Sequence, residues 1–299
     1  MLQGLIYALI SACSFASMAI LVKFGYHAGM DGAEMMSYRF TYAAMLLFIV
    51  LLIKDRSLLR ISPKRLLGCL FLGLVIYWLQ TTCFVRALAT IPASTTALVL
   101  YVHPVVVTLM SAVIFKMKID RVVALSLALV ISGCCLVFYD AFLKSVDATG
   151  LLYATGAMIF FSIYLVLVQV QVISKGLKPL TATFYVMLFA SVAFNITAAI
   201  EGAPLAWLWP NADTFLIGFA LGVFPGVIAV AFLYLAIEKI GSAYTCIFSS
   251  IEPVITLAAA ALFLGENIVL LQIGGAALIV VGIVIPNLRA LAMKRQLEP

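Results

Sequence analysis

Long apolar stretches follow one another along the chain, with short polar connections between them. They predict ten helical spans, with approximate bounds 3–23, 34–53, 66–88, 93–115, 121–139, 150–172, 180–200, 214–237, 242–264 and 267–288. At about 1.5 Å of rise per residue, a helix of about 20 residues crosses the roughly 30 Å hydrocarbon core of a bilayer. The apolar runs are continuous and do not alternate, which favours helices over a β-barrel. We therefore predict an all-α integral membrane protein.

The sequence contains an internal repeat with an offset of 149 residues, which aligns Pro104 with Pro253 and His103 with Glu252. Further identical pairs at this offset include Ala87/Ala236, Ile91/Ile240, Val105/Val254, Ala112/Ala261, Ala128/Ala277, Leu129/Leu278 and Gly133/Gly282. The beginnings of the two halves also agree, at an offset of 146 residues, where Gly4 matches Gly150. We therefore divide the one membrane domain into two five-helix repeats, residues 1–145 and 146–299.

Basic residues in the connections predict the orientation of the spans. One side holds Lys54, Arg56, Arg60, Lys64, Arg65, Lys116, Lys118, Arg121, Lys175, Lys178, Lys239, Arg289, Lys294 and Arg295, and the other holds Lys23, Arg86 and Lys144. Since basic loops stay in the cytoplasm, both termini are expected there. Five spans per repeat then make the second repeat enter the membrane with the opposite orientation, which is an inverted repeat.

Composition narrows the class of protein. Hydrophobic residues make up 66% and charged residues 10% of the chain, against roughly 45–50% and 25% in soluble domains. We expect a monomer in a bacterial inner membrane, with the lipid bilayer and a small-molecule substrate as partners. The net charge of +6 lies in the loops and indicates topology, not nucleic-acid binding. The six cysteines fall inside apolar spans, so neither a disulfide framework nor a metal or other cofactor site is expected.

Two groups of residues resemble a known family. The first is Pro253, Leu262, Gly265-Glu266, Gln272, Gly274, Leu278-Ile279 and Gly282, and the second is Tyr38-Arg39-Phe40 with Ala43-Ala44 and Leu46-Leu47. Over its whole length the chain resembles the EamA-type carriers of the drug/metabolite transporter superfamily, most closely the bacterial aromatic amino-acid exporters. The Gly-Glu element is intact only in the second repeat, because Lys116-Met117 replaces it in the first.

The resemblance implies secondary transport of small metabolites, often export, and here amino acids with aromatic or large apolar side chains. Carriers of drug-like cations, nucleotide-sugars or phosphate esters remain alternatives, and so does a passive channel. An intramembrane enzyme is disfavoured, because the only histidines, His27 and His103, belong to no nucleophile–base or metal-binding pattern.

Polar and aromatic side chains inside the spans predict a central, aromatic-lined cavity. Lipid offers no hydrogen-bond partners, so most of these groups should face protein or water. The candidate substrate-binding residues are Tyr7, Tyr77, Trp78, Thr81, Tyr101, His103, Phe160, Tyr164, Phe248, Ser249 and Glu252. Phe161 shares an aromatic face with Phe160 and Tyr164. In the alternative interpretation these aromatic residues pack helices together or mark the membrane interface.

Three prolines inside the spans predict hinges or kinks at Pro104, Pro225 and Pro253. Each frees the carbonyl group four residues earlier, which belongs to Leu100, Leu221 and Ser249 respectively. Such carbonyls are buried in protein or line a polar cavity, so the kinks are either functional or inert packing features.

Arg39, His103 and Glu252 are the ionisable residues deepest in the spans. A charge at the bilayer centre costs roughly 2.5–3.5 kcal/mol or more, so each should have a partner, be neutral or serve a function. Arg39 can extend outward to the membrane surface, cap neighbouring carbonyl groups or take part in transport. His103 and Glu252 can couple protons or act as structural hydrogen-bonding groups. Glu266 is expected at a helix start, where an acid has a structural role.

Overall fold

The computed structural model describes residues 2–143, 147–205, 212–264 and 268–297, which are helical apart from short connections and contain no strand. The helices are α1 (Leu2–His27), α2 (Gly32–Lys54), α3 (Pro63–Thr90), α4 (Ala93–Leu100), α5 (His103–Ile114), α6 (Arg121–Val137), α7 (Ala148–Ser174), α8 (Pro179–Glu201), α9 (Ala212–Ser249), α10 (Glu252–Leu264) and α11 (Leu270–Leu297). Short 3₁₀ turns cover Arg56–Leu59 and Tyr139–Leu143. The expected turn at Gly265, Glu266 and Asn267 lies outside the described residues, as does Lys144.

Within the described ranges, seven segments are long and apolar enough to cross a membrane. They are α1, α2, α3, the pair α4 and α5 together, α7, α8 and α9. Helix α6 and residues Leu270–Pro286 of α11 are also apolar but shorter. The protein is therefore an all-helical membrane protein, in agreement with the hydropathy of the sequence.

Two of the predicted spans, 93–115 and 242–264, are each interrupted near the middle. Helix α4 ends at Leu100 before α5 begins at His103, and α9 ends at Ser249 before α10 begins at Glu252. Each new helix has a proline in its first turn, which lacks the N–H group that a continuous helix would need.

The predicted boundary between residues 237 and 242 contains a kink at Gly241, where two helical stretches of α9 meet. Only Gly241 departs from helical geometry there, with φ 76° and ψ 167°. This left-handed conformation is readily available to glycine because it has no Cβ atom. The chain therefore bends at Gly241, between the two predicted spans, and the second of these spans is interrupted at residues 250–251.

Aspartate side chains fix the starts of three helices. Asp31 accepts a hydrogen bond from the backbone N–H of Glu34, and Asp147 accepts one from that of Gly150. Asp120 accepts from the N–H groups of both Val122 and Val123. These contacts satisfy N–H groups that have no partner within the helix, and a carboxylate also suits the positive end of a helix dipole.

Helices of the first half pack mainly against helices of the second half. The main pairs are α1 with α9, α2 with α8, α3 with α7, and α6 with α11. Small residues allow the last pair to come close: Gly133 of α6 lies against Gly275 of α11, and the Ser126 hydroxyl donates to the carbonyl oxygen of Gly282. Residues from both halves therefore meet in the centre of the molecule.

Three of the long helices contain π-helical segments. These are Phe71–Tyr77 in α3, Val170–Ser174 in α7 and Gly222–Ile228 in α9. A π segment widens the helix locally and often occurs at a functional site. The segments in α3 and α9 border the centre of the molecule, where the candidate site lies.

Candidate functional site

A small cavity lies beside both helix interruptions. Its volume is about 30 Å³, which accommodates about one water molecule. The lining residues are Phe15, His103, Phe161, Leu165, Leu233, Cys246, Ser249 and Glu252. They come from α1 and α5 of the first half and from α7, α9 and α10 of the second. The cavity therefore lies between the halves and borders the two positions at which the chain changes direction.

At the first interruption, His103 takes the carbonyl group that Pro104 leaves without a partner. The His103 Nδ1 atom lies 2.9 Å from the carbonyl oxygen of Leu100. Because a carbonyl oxygen only accepts hydrogen bonds, Nδ1 must carry the hydrogen in this contact. In the neutral imidazole the second ring nitrogen, Nε2, then carries a lone pair and acts as an acceptor.

At the second interruption, Glu252 bonds to a residue from the other half of the chain. The Tyr101 hydroxyl and the Glu252 carboxyl group form a hydrogen bond. The positive charge of Arg39 also acts on Glu252 electrostatically. The buried Ser249 Oγ atom has no hydrogen-bond partner among the described residues. This interruption therefore presents an acid and an unpaired hydroxyl group to the cavity.

Aromatic rings connect the two interruptions to the interior. We call Tyr101, His103, Phe161, Tyr164 and Tyr77 the aromatic row. Successive ring centroids lie 6.3, 5.0, 6.4 and 4.7 Å apart. Neighbouring rings therefore pack within the range of favourable aromatic contacts. The Tyr164 hydroxyl also lies 2.8 Å from that of Tyr234, which holds the row against α9.

Arg39 lies at the inner end of the aromatic row and is only 3% exposed. Its Nη2 atom donates to the Tyr77 hydroxyl, at 3.2 Å, and to the Pro225 carbonyl oxygen, at 3.1 Å. Its Nη1 atom lies 3.3 Å from Met18 Sδ, and its guanidinium carbon lies 5.0 Å from the centre of the Phe40 ring. Arg39 thus caps a carbonyl group in the π segment of α9, on a different helix from its own.

The predicted site residues fall into three groups. His103, Ser249 and Glu252 line the cavity. Tyr77, Tyr101 and Tyr164 belong to the aromatic row. The remaining members, which are not among the lining residues of the cavity, are Tyr7, Trp78, Thr81, Phe160 and Phe248.

The contacts of this third group explain its position. The Trp78 indole N–H donates to the Thr197 hydroxyl on α8, at 2.9 Å, so this ring points towards the other side of α3. Phe248 is completely buried in the helix packing. Tyr7 packs against Phe232, with 5.5 Å between the ring centroids. Its hydroxyl accepts a hydrogen bond from the exposed Gln3 side chain, at 2.8 Å.

Thr81 is buried and donates to the neighbouring Gln80 side chain, at 3.1 Å. Phe160 is partly buried, and its neighbour Phe161 occupies the cavity wall. The two phenylalanines are four and three residues before Tyr164, and both spacings place a residue on the same helix face. The sequence pattern alone therefore does not distinguish them.

Four lining residues carry no signal in the sequence: Phe15, Leu165, Leu233 and Cys246. An apolar side chain that borders a cavity has the same hydropathy as one that faces lipid. Two of the three prolines lie at helix interruptions, and the third lies in a π segment. Pro104 and Pro253 begin α5 and α10, and Pro225 lies inside the π segment of α9.

A second polar group, which we call the Gln169 cluster, joins α5, α7 and α9 next to Gly241. The Gln169 Oε1 atom accepts from the Ser242 backbone N–H at 2.6 Å and from the Ser242 hydroxyl at 2.7 Å. The hydroxyl groups of Ser242 and Ser111 lie 3.2 Å apart. The cluster therefore satisfies a backbone N–H group at the bend in α9.

Comparisons with known proteins agree with this architecture. The profile of the EamA-like transporter family matches residues 2–139 and 148–288. The uncharacterized transporter YyaM of Bacillus subtilis (strain 168) is 24% identical over 266 residues, which cover 83% of this chain and 81% of that protein. One crystal structure shares the fold, with a TM-score of 0.79 and 17% identity over 99% of both chains.

Proposed function

Because the chain belongs to the EamA-like transporter family, we propose that this membrane transporter is a secondary carrier that exports amino acids with aromatic or large apolar side chains. The observation that carries this proposal is the cavity between the two halves, with the aromatic row beside it. Carriers built from inverted repeats bind their substrate near the middle of the membrane, at the repeat interface. Movement of one half against the other then opens the site to alternate sides.

The proposal includes ten spans in two inverted repeats, residues 1–145 and 146–299. The first repeat comprises α1, α2, α3, the pair α4 and α5, and α6. The second comprises α7, α8, α9 up to the bend at Gly241, the rest of α9 with α10, and α11. On this count the two interrupted spans occupy equivalent places, because Pro104 and Pro253 are separated by the repeat offset.

Reciprocal glycine contacts support the repeat. Gly4 of α1 packs against Ile240 of α9, and Gly150 of α7 packs against Ile91 after α3. In the sequence alignment of the two halves, Gly4 corresponds to Gly150 and Ile91 corresponds to Ile240. Exchange of the halves therefore converts one contact into the other, which is the behaviour of a pseudo-two-fold axis.

A second reciprocal pair lies in the π segments. Gly73 of α3 packs against the backbone of α8 at Val186, and Gly222 of α9 packs against α2 at Tyr42. Gly73 and Gly222 are again separated by 149 residues. Two independent contact pairs thus support the same internal symmetry.

The chemistry of the interior supports a substrate that is partly apolar. Aromatic and aliphatic side chains form most of the cavity wall, and such surfaces suit amphipathic molecules with a few fixed polar groups. Arg39 already bonds to Tyr77 and to the Pro225 carbonyl group. It is therefore not part of the open basic cluster that phosphate esters and nucleotide-sugars require.

The charge distribution supports the proposed placement in a bacterial inner membrane with both termini in the cytoplasm. Basic residues that the structure describes in the α2–α3, α5–α6 and α7–α8 connections lie on the side assigned to the cytoplasm, and most positive charge in membrane proteins stays there. We further propose that the carrier acts as a monomer, since each chain contains both repeats that form the site.

Counterflow in liposomes tests the function. Purified protein is reconstituted into vesicles loaded with unlabelled phenylalanine, tyrosine, leucine, a drug-like cation or a nucleotide-sugar, and uptake of trace labelled solute is followed. The proposal predicts that labelled phenylalanine, tyrosine or leucine accumulates transiently when the same solute is inside. Passive equilibration without overshoot would indicate a channel, and exchange of only the cation or the nucleotide-sugar would contradict the proposed substrate class.

A further inference from the structure

The polar atoms that border the cavity are mainly hydrogen-bond acceptors. His103 uses its Nδ1 hydrogen on the Leu100 carbonyl oxygen, so its Nε2 atom remains an acceptor. The carboxyl group of Glu252 is hydrogen-bonded to the Tyr101 hydroxyl, and in its ionised form it offers only acceptor atoms. The two side chains come from opposite halves and line the same space.

Ser249 adds a third polar atom that faces no partner among the described residues. Its Oγ atom is buried, and a hydroxyl group can both donate and accept. An unsatisfied buried hydroxyl costs about 1–3 kcal/mol, so a ligand that bonds to it gains affinity. The cavity thus has two acceptor groups, His103 Nε2 and the Glu252 carboxyl group, and a Ser249 hydroxyl group that a ligand with hydrogen-bond donors could satisfy.

The walls favour a positive charge. Phe15 and Phe161 line the cavity, and the faces of aromatic rings attract cations. The volume of about 30 Å³ is more than the roughly 10–15 Å³ that a cavity needs in order to hold one group the size of a water molecule. A group of that size with several N–H donors and one positive charge is a primary ammonium group.

We propose that this cavity binds the primary ammonium group of the transported molecule, with its hydrogens directed at Glu252, His103 Nε2 and Ser249. The inference rests on the proposed carrier function and adds to it which end of the substrate is held at the helix interruptions. The larger part of an amino acid would extend from the ammonium group along the aromatic row. Binding then links α5 of one half to α9 and α10 of the other.

Other small ligands fit this lining less well. An anion would meet the acceptor atoms of Glu252 and His103 and be repelled. Calcium takes six to eight oxygen ligands, whereas the side chains that line this cavity offer oxygen only from Glu252 and Ser249. An ammonium group needs just the acceptors that are present.

Three probes of similar size separate the contributions of the amine and the carboxylate. Phenethylamine carries only the amine, 3-phenylpropionate only the carboxylate, and phenylalanine carries both. Binding of each is measured by isothermal titration calorimetry on the full-length protein in nanodiscs. Phenethylamine and phenylalanine should bind, and 3-phenylpropionate should bind at least about tenfold more weakly, since charge-assisted hydrogen bonds contribute about 1.5–3 kcal/mol.

Glu252→Gln should weaken the two amine probes by about tenfold or more, because the amide has no negative charge. Glu238→Gln is the matched control: Glu238 pairs with Lys239, at 3.2 Å, and does not line the cavity. Ser249→Ala is a smaller change for use if the Glu252 variant does not fold, and it should weaken the amine probes by about threefold to tenfold.

Two results would overturn the inference. One is affinity for 3-phenylpropionate that equals or exceeds that for phenethylamine, and the other is failure of both amine probes to bind the folded wild-type protein. Unchanged amine binding in the folded Glu252 and Ser249 variants would also contradict it. In that case, counterflow of a solute without an amine would still support the carrier function. Absence of counterflow for every solute would refute the carrier function itself.

Discussion

Gly133 and Gly275 meet backbone to backbone where α6 crosses α11. A Cβ atom placed on either glycine lies 2.6 Å from the carbonyl oxygen of the other. Backbone atoms in two packed helices cannot move aside as the end of a flexible side chain can. The two helices therefore approach as closely as they do because neither position carries a side chain.

Gly133→Ala or Gly275→Ala should lower the free energy of unfolding by about 1–3 kcal/mol, because overpacking forces the helices apart. Thermal unfolding of the purified protein in detergent measures the change. Gly274→Ala provides the control, since a Cβ atom there meets nothing within 4 Å. It should leave stability unchanged or raise it slightly, as alanine favours a helix by about 1 kcal/mol over glycine. Equal effects at positions 274 and 275 would refute the close packing.

Arg39→Lys should destabilise the protein although the charge is retained. The single ammonium group of lysine cannot reproduce the contacts that the planar guanidinium group makes with Tyr77, Pro225 and Met18. We expect a loss of about 1.5–3 kcal/mol, the range for a buried hydrogen bond to a charged group. Unfolding of the variant is compared with that of Arg86→Lys, whose arginine is exposed at its helix end. A melting temperature like that of the wild type would mean that the Arg39 contacts contribute little.

Phe161→Ala should slow counterflow of the best substrate by about threefold to thirtyfold, which corresponds to roughly 0.5–2 kcal/mol of lost aromatic contact. Phe161 borders the cavity, and its ring centroid lies 5.0 Å from that of His103. The matched control is Phe160→Ala, which removes an equal ring one position away. Initial rates are compared at equal amounts of reconstituted protein. If the Phe160 variant is the slower one, the cavity is not on the transport path.

Gln169→Ala should cost about 1–3 kcal/mol of stability, because it leaves the Ser242 backbone N–H and hydroxyl without their acceptor. Thermal unfolding again gives the measurement. Gln3→Ala is the control at an exposed position near the N-terminus, where a change of no more than about 0.5 kcal/mol is expected. Similar melting of the two variants would show that the Gln169 cluster does not stabilise the bend at Gly241.

Reporter fusions test the proposed orientation. Alkaline phosphatase, which is active only outside the cytoplasm, and green fluorescent protein, which fluoresces only inside it, are fused after Lys64 and after Glu298. Both positions should give fluorescence without phosphatase activity, since basic connections remain in the cytoplasm. Phosphatase activity at one of them would contradict an even number of spans between them.

Hydropathy predicts most of the helices, because a segment that crosses lipid must be apolar and must satisfy its own backbone hydrogen bonds. The prolines predict the two interruptions, because Pro104 and Pro253 have no backbone N–H group to donate within a helix. The boundary predicted between residues 237 and 242 likewise contains the bend at Gly241.

The candidate site is predictable only in its polar part. His103 and Glu252 stand out because charged groups in lipid are costly. Leu165 and Leu233 do not stand out, because leucine occurs in contact with lipid, in the protein core and at cavity walls alike. The partner of Arg39 was also hidden from the sequence, since the Pro225 carbonyl group is part of the backbone and is separated from it by 186 positions.

The Gln169 cluster makes the two ends of the molecule unequal. At the repeat offset, Ser242 and Ser111 correspond to Ala93 and Ala260, which have no hydroxyl group. A carrier with two identical repeats would populate its inward- and outward-facing states equally, as symmetry demands. In the proposed cycle, the hydrogen bonds of the Gln169 cluster favour the state in which the cytoplasmic end is closed. Each 1.4 kcal/mol of free-energy difference gives about a tenfold excess of that state. The empty carrier would therefore mainly populate the outward-facing state, and its return to the inward-facing state would cost free energy.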